Sequence, residues 1–201
     1  HRAHELDPDA RLFLNEFVDF YGLGTPFEQK AKGFLDLVKR LLDRGVPVHG
    51  VGVQAHFNGF VPGLIPLPTR EEFEGFLRAL ADLGVAVELT ELDFSVNYFE
   101  GDPDPLARQA EFYGQIVAAC MAVPSCTSVT LWGIDDSRSW LDVVPPMNAG
   151  APHQPLLFDA LLEPKPAYFA VRDAVAAREG PFHERMERLV AFFDEARAAG
   201  D

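Results

Sequence analysis

Four short apolar segments recur along the chain, and helical patterns separate them. The first is Leu12-Phe13-Leu14, ending at Asn15-Glu16, and the second is Val51-Gly52-Val53, ending at Gln54-Ala55-His56. The third runs from Val85 to Thr90 and ends at Glu91-Leu92-Asp93; the fourth is Val129-Thr130-Leu131, ending at Trp132-Gly133. Each connection is long enough for a crossover helix, which parallel neighbours require. Strand-helix repetition of this kind predicts an α/β fold with parallel strands.

The helices between the strands carry start and stop signals. Thr25 can cap a helix that opens on Pro26, with Glu28 completing a capping box. Phe27, Ala31, Phe34, Val38, Leu41 and Leu42 then recur at near-helical spacing, and Gly45 closes the run. Thr69 and Glu72 repeat the capping pattern before the stripe Phe73, Phe76, Leu77 and Leu80, which ends at Gly84. Asp104-Pro105 opens a third helix that buries Phe112, Ile116 and Val117, and a fourth spans about Pro166 to Ala177. The tail from Phe182 to Ala199 reads as one more amphipathic helix, packed on its own domain or offered to a partner.

Composition narrows the ligand. The 201 residues hold 17 Lys plus Arg against 31 Asp plus Glu, a net charge of -14. That balance disfavours a nucleic-acid groove or an anionic membrane surface and leaves a neutral ligand such as a sugar open. No run of apolar residues is long enough for a transmembrane helix. The chain opens His1-Arg2-Ala3-His4-Glu5-Leu6 with neither a starting Met nor a signal segment, so a processing site or a cut through a longer protein is expected there. The two cysteines, Cys120 and Cys126, read either as unrelated core thiols or as a bridge closing a small loop, which contributes about 2 kcal/mol by loop entropy.

Polar and aromatic residues gather where the strands end: Gln54, His56, Asn58, Glu91, Asp93, Trp132, Asp135, Asp136 and Trp140. A barrel places its active face at the carboxyl ends of its strands, and an open sheet binds ligands at the same edge. Glu91 and Asp93 lie two apart, so both can face one side, as nucleophile, base, metal ligands or a solvated pair. His56 ends the neighbouring strand, where it can orient a carboxylate or simply bond locally, and Gln54 shares its face with an amide suited to sugar hydroxyls. Trp132 and Trp140 offer flat faces for sugar rings or belong to the core. Asn15 can orient the neighbouring loop or touch ligand. A facial metal triad of His56, Glu91 and Asp93 has no supporting H-E-x-x-H or H-x-x-E-H pattern. Gly50-x-Gly52 lacks a third glycine and reads as a packing feature rather than a dinucleotide loop.

Taken in order, these motifs resemble the C-terminal half of glycoside hydrolase family 10, the endo-1,4-beta-xylanases. Leu89-Thr90-Glu91-Leu92-Asp93 is similar to the family's nucleophile motif at barrel strand 7, and Val51-Gly52-Val53-Gln54-Ala55-His56 to its strand 6 signature. Leu12-Phe13-Leu14-Asn15-Glu16 resembles strand 5, although the family more often has Asp-Tyr where this chain has Glu16-Phe17. Trp132-Gly133-Ile134-Asp135-Asp136 with Ser139-Trp140-Leu141 resembles the strand 8 region, and Leu156-Leu157-Phe158-Asp159 with Lys165-Pro166-Ala167-Tyr168 the closing loop and last helix.

The resemblance implies half of a (β/α)8 barrel, strands 5–8, over residues 1–178, with residues 179–201 a helix of unassigned role. It implies retaining hydrolysis of beta-1,4-xylan without a cofactor: Glu91 as nucleophile, His56 orienting it, Asp93 supporting His56, and Gln54, Trp132, Trp140 and Asn15 binding substrate. It also implies a Cys120–Cys126 disulfide and, with it, a secreted protein. The Trp-Asp-x-x-Asn-Glu motif that supplies the family's acid/base glutamate is missing from these residues. Strands 5 and 8 would be open edges, so self-association or pairing with the other half-barrel is expected. A non-catalytic carbohydrate-binding or scaffold protein, and a hydrolase of other beta-glycans, are the competing functions.

Overall fold

In the computed structural model, which describes residues 1–17, 27–57, 67–143 and 152–177, the strands are joined in a parallel sheet with helices on one face. After a short helix α1 (Arg2–Leu6), β1 (Phe13–Glu16) pairs with β2 (Gly50–Val53), and β2 pairs with β4 (Ala86–Phe94). β3 (His56–Phe57) pairs with the far end of β4, and β5 (Cys126–Leu131) lies on the other side of β4. Among the described residues the sheet is open, with β1 and β5 at its edges. The crossovers contain α2 (Phe27–Asp43), α3 (Arg70–Ala81) and α4 (Pro105–Met121), and α5 (Pro166–Ala176) closes the described chain.

The alternation of each strand explains which face is covered. Val51, Val53, Val87, Leu89, Leu92 and Phe94 are buried in one core with Phe34, Val38, Phe73, Leu77, Leu80, Ile116 and Val117 of the helices. Burial of side chains this size contributes on the order of 2 kcal/mol each. Aromatic rings thicken the core at the carboxyl end of the sheet, where Phe112 lies 4.4 Å from Phe94 and 4.9 Å from Phe57.

Local chemistry sets the helix ends. Thr69 and Glu72 form the expected capping box, each side chain accepting from the other residue's backbone N–H. Asp104 accepts from the Ala107 N–H ahead of Pro105. The proposed Thr25 cap and the tail helix after 177 lie outside the described residues. Cys120 and Cys126 are joined in a buried disulfide that ties the end of α4 to the start of β5.

Three strands differ from their sequence outlines. The second divides into β2 and β3 around Ala55, which is fully buried at φ 62°, a left-handed conformation that costs an alanine roughly 1 kcal/mol. The third continues past Thr90 to Phe94, because β3 and the carbonyl of Pro155 supply partners beyond the apolar run. The fourth begins at Cys126, three residues before its apolar run, because the Val87 N–H donates to the Ser125 carbonyl and starts the ladder there.

One irregularity matters for the site. β2 and β4 pair as Val53 with Leu89, yet β3 and β4 pair as His56 with Asp93. The partners differ by 36 positions before the gap and 37 after it, so β4 carries one extra residue within Thr90–Leu92. The ladder with β5 shifts over the same stretch. This is a β-bulge, which turns two consecutive side chains toward one face.

Candidate active site

Glu91 stands at the bulge with its side chain 13% exposed. The Asn15 amide donates to Oε1 at 2.8 Å, and His56 Nε2 lies 3.1 Å from Oε2. The other ring nitrogen of His56 lies 2.9 Å from Asp93 Oδ1, and the Trp140 indole donates to Asp93 Oδ2 at 2.6 Å. Five side chains from β1, β3, β4 and the loop after β5 thus form one hydrogen-bonded chain. Asp93 is fully buried, and burial pushes its carboxyl above the ordinary value. The hydrogen bonds from His56 and Trp140 pull it back, and the charge of Glu91 adds to the rise.

The bulge explains how Glu91 reaches Asn15. Thr90 and Glu91 are consecutive, and in a regular strand they would point to opposite faces. Here the Thr90 hydroxyl donates to Asn15 Oδ1 at 2.8 Å while Glu91 accepts from Nδ2 of the same amide. The two contacts fix which end of the amide faces the carboxylate. Asn15 reaches both by crossing β2 at Gly52, its ladder partner. A Cβ at Gly52 would stand 2.4 Å from Asn15 Oδ1 and 2.9 Å from Thr90 Cγ2. Gly50 gives Phe13 the same passage, with its missing Cβ 2.2 Å from the Phe13 ring. The two glycines are thus packing features, as expected, and one of them serves the site. The sequence offers no role for Thr90 and only a packing role for Gly52; the available signal was a small residue facing an amide across a strand pair.

Of the remaining predicted residues, Trp132 meets this chain, while Asp136 and Glu16 do not. Gln54 lies between β2 and β3, partly buried; its N–H donates to the Glu16 carbonyl at 3.1 Å and its own carbonyl accepts from the Glu91 N–H at 3.0 Å. Trp132 is 48% exposed and meets the His56 ring edge-on at a centroid distance of 5.9 Å. Trp140 is closer, at 5.1 Å, and Phe17, to which no role was given, lies 5.7 Å from the same ring. Asn58 lies outside the described residues. Glu16 shares a ladder rung with Val53 and Leu89, the core-facing side, and pairs with Lys30 of α2 at 3.2 Å. It points away from the face that carries Asn15. Asp136 is not at the site: its carboxylate holds Lys165 at 2.9 Å and accepts from the Leu156 N–H. Among the described residues no group of His, Cys, Asp and Glu is arranged to hold a metal ion.

Solved structures share this architecture. Native xylanase 10B from Thermotoga maritima matches with a TM-score of 0.70 and 27% identity, covering 92% of this chain and 51% of that one. The fold is that of part of a glycoside hydrolase barrel. The family model for glycosyl hydrolase family 10 matches residues 1–174. The chain is 38% identical over 178 residues to an endo-1,4-beta-xylanase of Geobacillus stearothermophilus, covering 84% of this chain and 50% of the relative. It is 35% identical over 173 residues to exoglucanase XynX of Acetivibrio thermocellus, covering 85% and 14%. The chain belongs to glycosyl hydrolase family 10. Its open sheet resembles part of the family's (β/α)8 barrel, and it spans about half the length of the first of these relatives.

Proposed function

We propose that this chain is the C-terminal, nucleophile-bearing half of a retaining endo-1,4-beta-xylanase, with β1, β2–β3, β4 and β5 as barrel strands 5 to 8. The observation that carries the reading is the Glu91 carboxylate, held between Asn15 and His56 at the carboxyl edge of the sheet. Contacts on both oxygens aim it. Glu91 attacks the anomeric carbon, the glycosidic C–O bond breaks, and the leaving oxygen takes a proton from a second carboxyl group; water then releases the glycosyl-enzyme. Retaining catalysis needs that second carboxyl about 5–5.5 Å away. Asp93 and Glu16 are both engaged elsewhere, with His56 and Trp140 and with Lys30. We assign the acid/base role to a carboxyl other than these two, supplied by a complementary half-barrel or by a second copy of the chain. Gln54, Trp132 and Trp140 contact the sugar, Asp93 supports His56, and Asn15 positions Glu91. The Cys120–Cys126 bridge supports a secreted protein.

A substrate with a strongly acidic leaving group needs no proton donor, so it isolates the nucleophilic step. The 201-residue chain is incubated with 2,4-dinitrophenyl beta-xylobioside and its intact mass and dinitrophenolate release are followed. A stoichiometric disaccharide adduct on Glu91, missing in Glu91→Gln, is expected; a folded chain that gives neither adduct nor dinitrophenolate refutes the assignment. Reducing-sugar release from xylan is expected only when the complementary half is added. The likeness to a protein named an exoglucanase favours, as a second reading, a hydrolase of other beta-glycans. Product analysis on xylan, cellulose and mixed-linkage glucan separates the two.

A further inference from the structure

The loop that carries Trp140 is irregular, yet both of its ends are anchored to one segment. Asp136 Oδ1 accepts from the Leu156 N–H at 2.8 Å, and Asp142 Oδ1 accepts from the His153 N–H at 3.0 Å. Residues 153–156 form a strap laid along the end of β4: the Phe94 N–H donates to the Pro155 carbonyl at 3.2 Å, and the Val96 N–H to the His153 carbonyl at 2.9 Å. From α4, the Tyr113 hydroxyl donates to the Pro155 carbonyl at 2.6 Å, and the Gln109 amide to the carbonyls of Gln154 and Phe94 at 2.7 and 2.6 Å.

The strap turns at Gln154, whose φ of 41° is left-handed. At that turn lies the Lys165 ammonium, 2.6 Å from the Gln154 carbonyl and 2.9 Å from Asp136 Oδ2, with side chains of the pair only 5% and 9% exposed. Lys165 therefore joins the strap to the first anchor of the Trp140 loop. A buried ion pair of this kind gives little net stability over an apolar pair, but it fixes register because either charge alone is costly. The far end of the loop reaches the site directly, through the Trp140 indole on Asp93.

We propose that Lys165 is a positioning residue for Trp140: by fastening Asp136 and the Gln154 carbonyl it holds the indole on Asp93 and its ring against His56. These contacts bear on the indole's placement whatever the chain binds. Its consequence for sugar binding rests on the xylanase reading above.

The test uses the full chain with 15N-labelled tryptophan, which contributes two indole N–H resonances. Trp132, 48% exposed, serves as the reference for Trp140. Lys165→Met is measured beside Lys165→Arg and the double variant Lys165→Met/Asp136→Leu, which removes both charges and avoids stranding one. Loss of Trp140 N–H exchange protection by roughly tenfold or more in the double variant, with its resonance shifted and partial recovery in Lys165→Arg, is expected. Retained protection and an unchanged Trp140 resonance in the double variant overturn the proposal. Titration with xylotriose reads the other reading separately: if Trp140 loses protection but no indole responds to the sugar in wild type, the positioning role stands and the sugar assignment fails.

Discussion

Gly52→Ala is the sharpest perturbation of the site, because it adds one methyl group to a residue with no chemistry of its own. The new Cβ stands 2.4 Å from Asn15 Oδ1 and 2.9 Å from Thr90 Cγ2, well inside van der Waals contact. Both neighbours are side chains of the same relay, so the least costly response is for Asn15 to swing away. That breaks the 2.8 Å bond from Thr90 and the 2.8 Å bond to Glu91. A neutral hydrogen bond is worth about 1 kcal/mol and one to a charged group about 1.5–3 kcal/mol. Only the second acts on the nucleophile, so the glycosylation rate is expected to fall by roughly ten- to a hundredfold at 1.4 kcal/mol per decade. Overpacking lowers stability by a further 1–3 kcal/mol, on the order found for inserted methyl groups. The assay is the pseudo-first-order release of dinitrophenolate from the activated xylobioside, with urea unfolding run on the same samples. Asn15→Ala should slow the reaction by a similar factor, and the double variant by little more than either single change, since both remove one contact. A Gly52→Ala protein that reacts at the wild-type rate refutes the relay.

Three further outcomes follow from the same contacts. Asp93 has its folded pKa raised from 3.8 by burial, so the native state holds this proton more tightly than the unfolded chain. Its contribution to stability is then fullest below the unfolded value and declines as pH rises through the folded one; urea midpoints of wild type relative to Asp93→Asn should fall with rising pH across that window, and a constant difference would contradict it. Replacing Cys120 and Cys126 by Ala, or reducing the bridge, should cost about 2 kcal/mol and lower Tm by about 4–8 °C in calorimetry. Thr69→Ala removes one side of the α3 capping box and should destabilise the fold by about 1 kcal/mol in denaturant titration, without altering the rate of Glu91 labelling.

Much of this protein is determined by its sequence alone. Strand-helix alternation requires parallel strands, and the cap residues at Thr69 and Asp104 place two helix starts to the residue. These are local properties, set by hydrogen bonds and apolar spacing within a few residues. The strand segments ending at Glu91 and His56 were legible for the same reason, each being short and contiguous, whereas spacing left the cysteine pair open and only the family resemblance implied the bridge. What the sequence left undecided is non-local. A bulge is a difference in count between two strands 36 positions apart, so no periodicity within either strand displays it. The role of Gly52 depends on a side chain from β1 passing over it to β4, and that of Lys165 on a carbonyl and a carboxylate brought together from a distant strap and loop. Glu16 ends its strand beside Asn15, and only the pairing of its rung with Val53 and Leu89 showed that it faces α2. Residue identity decides which groups can donate, accept or carry charge; tertiary packing decides which of them meet, because a one-residue change of register moves a side chain to the opposite face of the sheet.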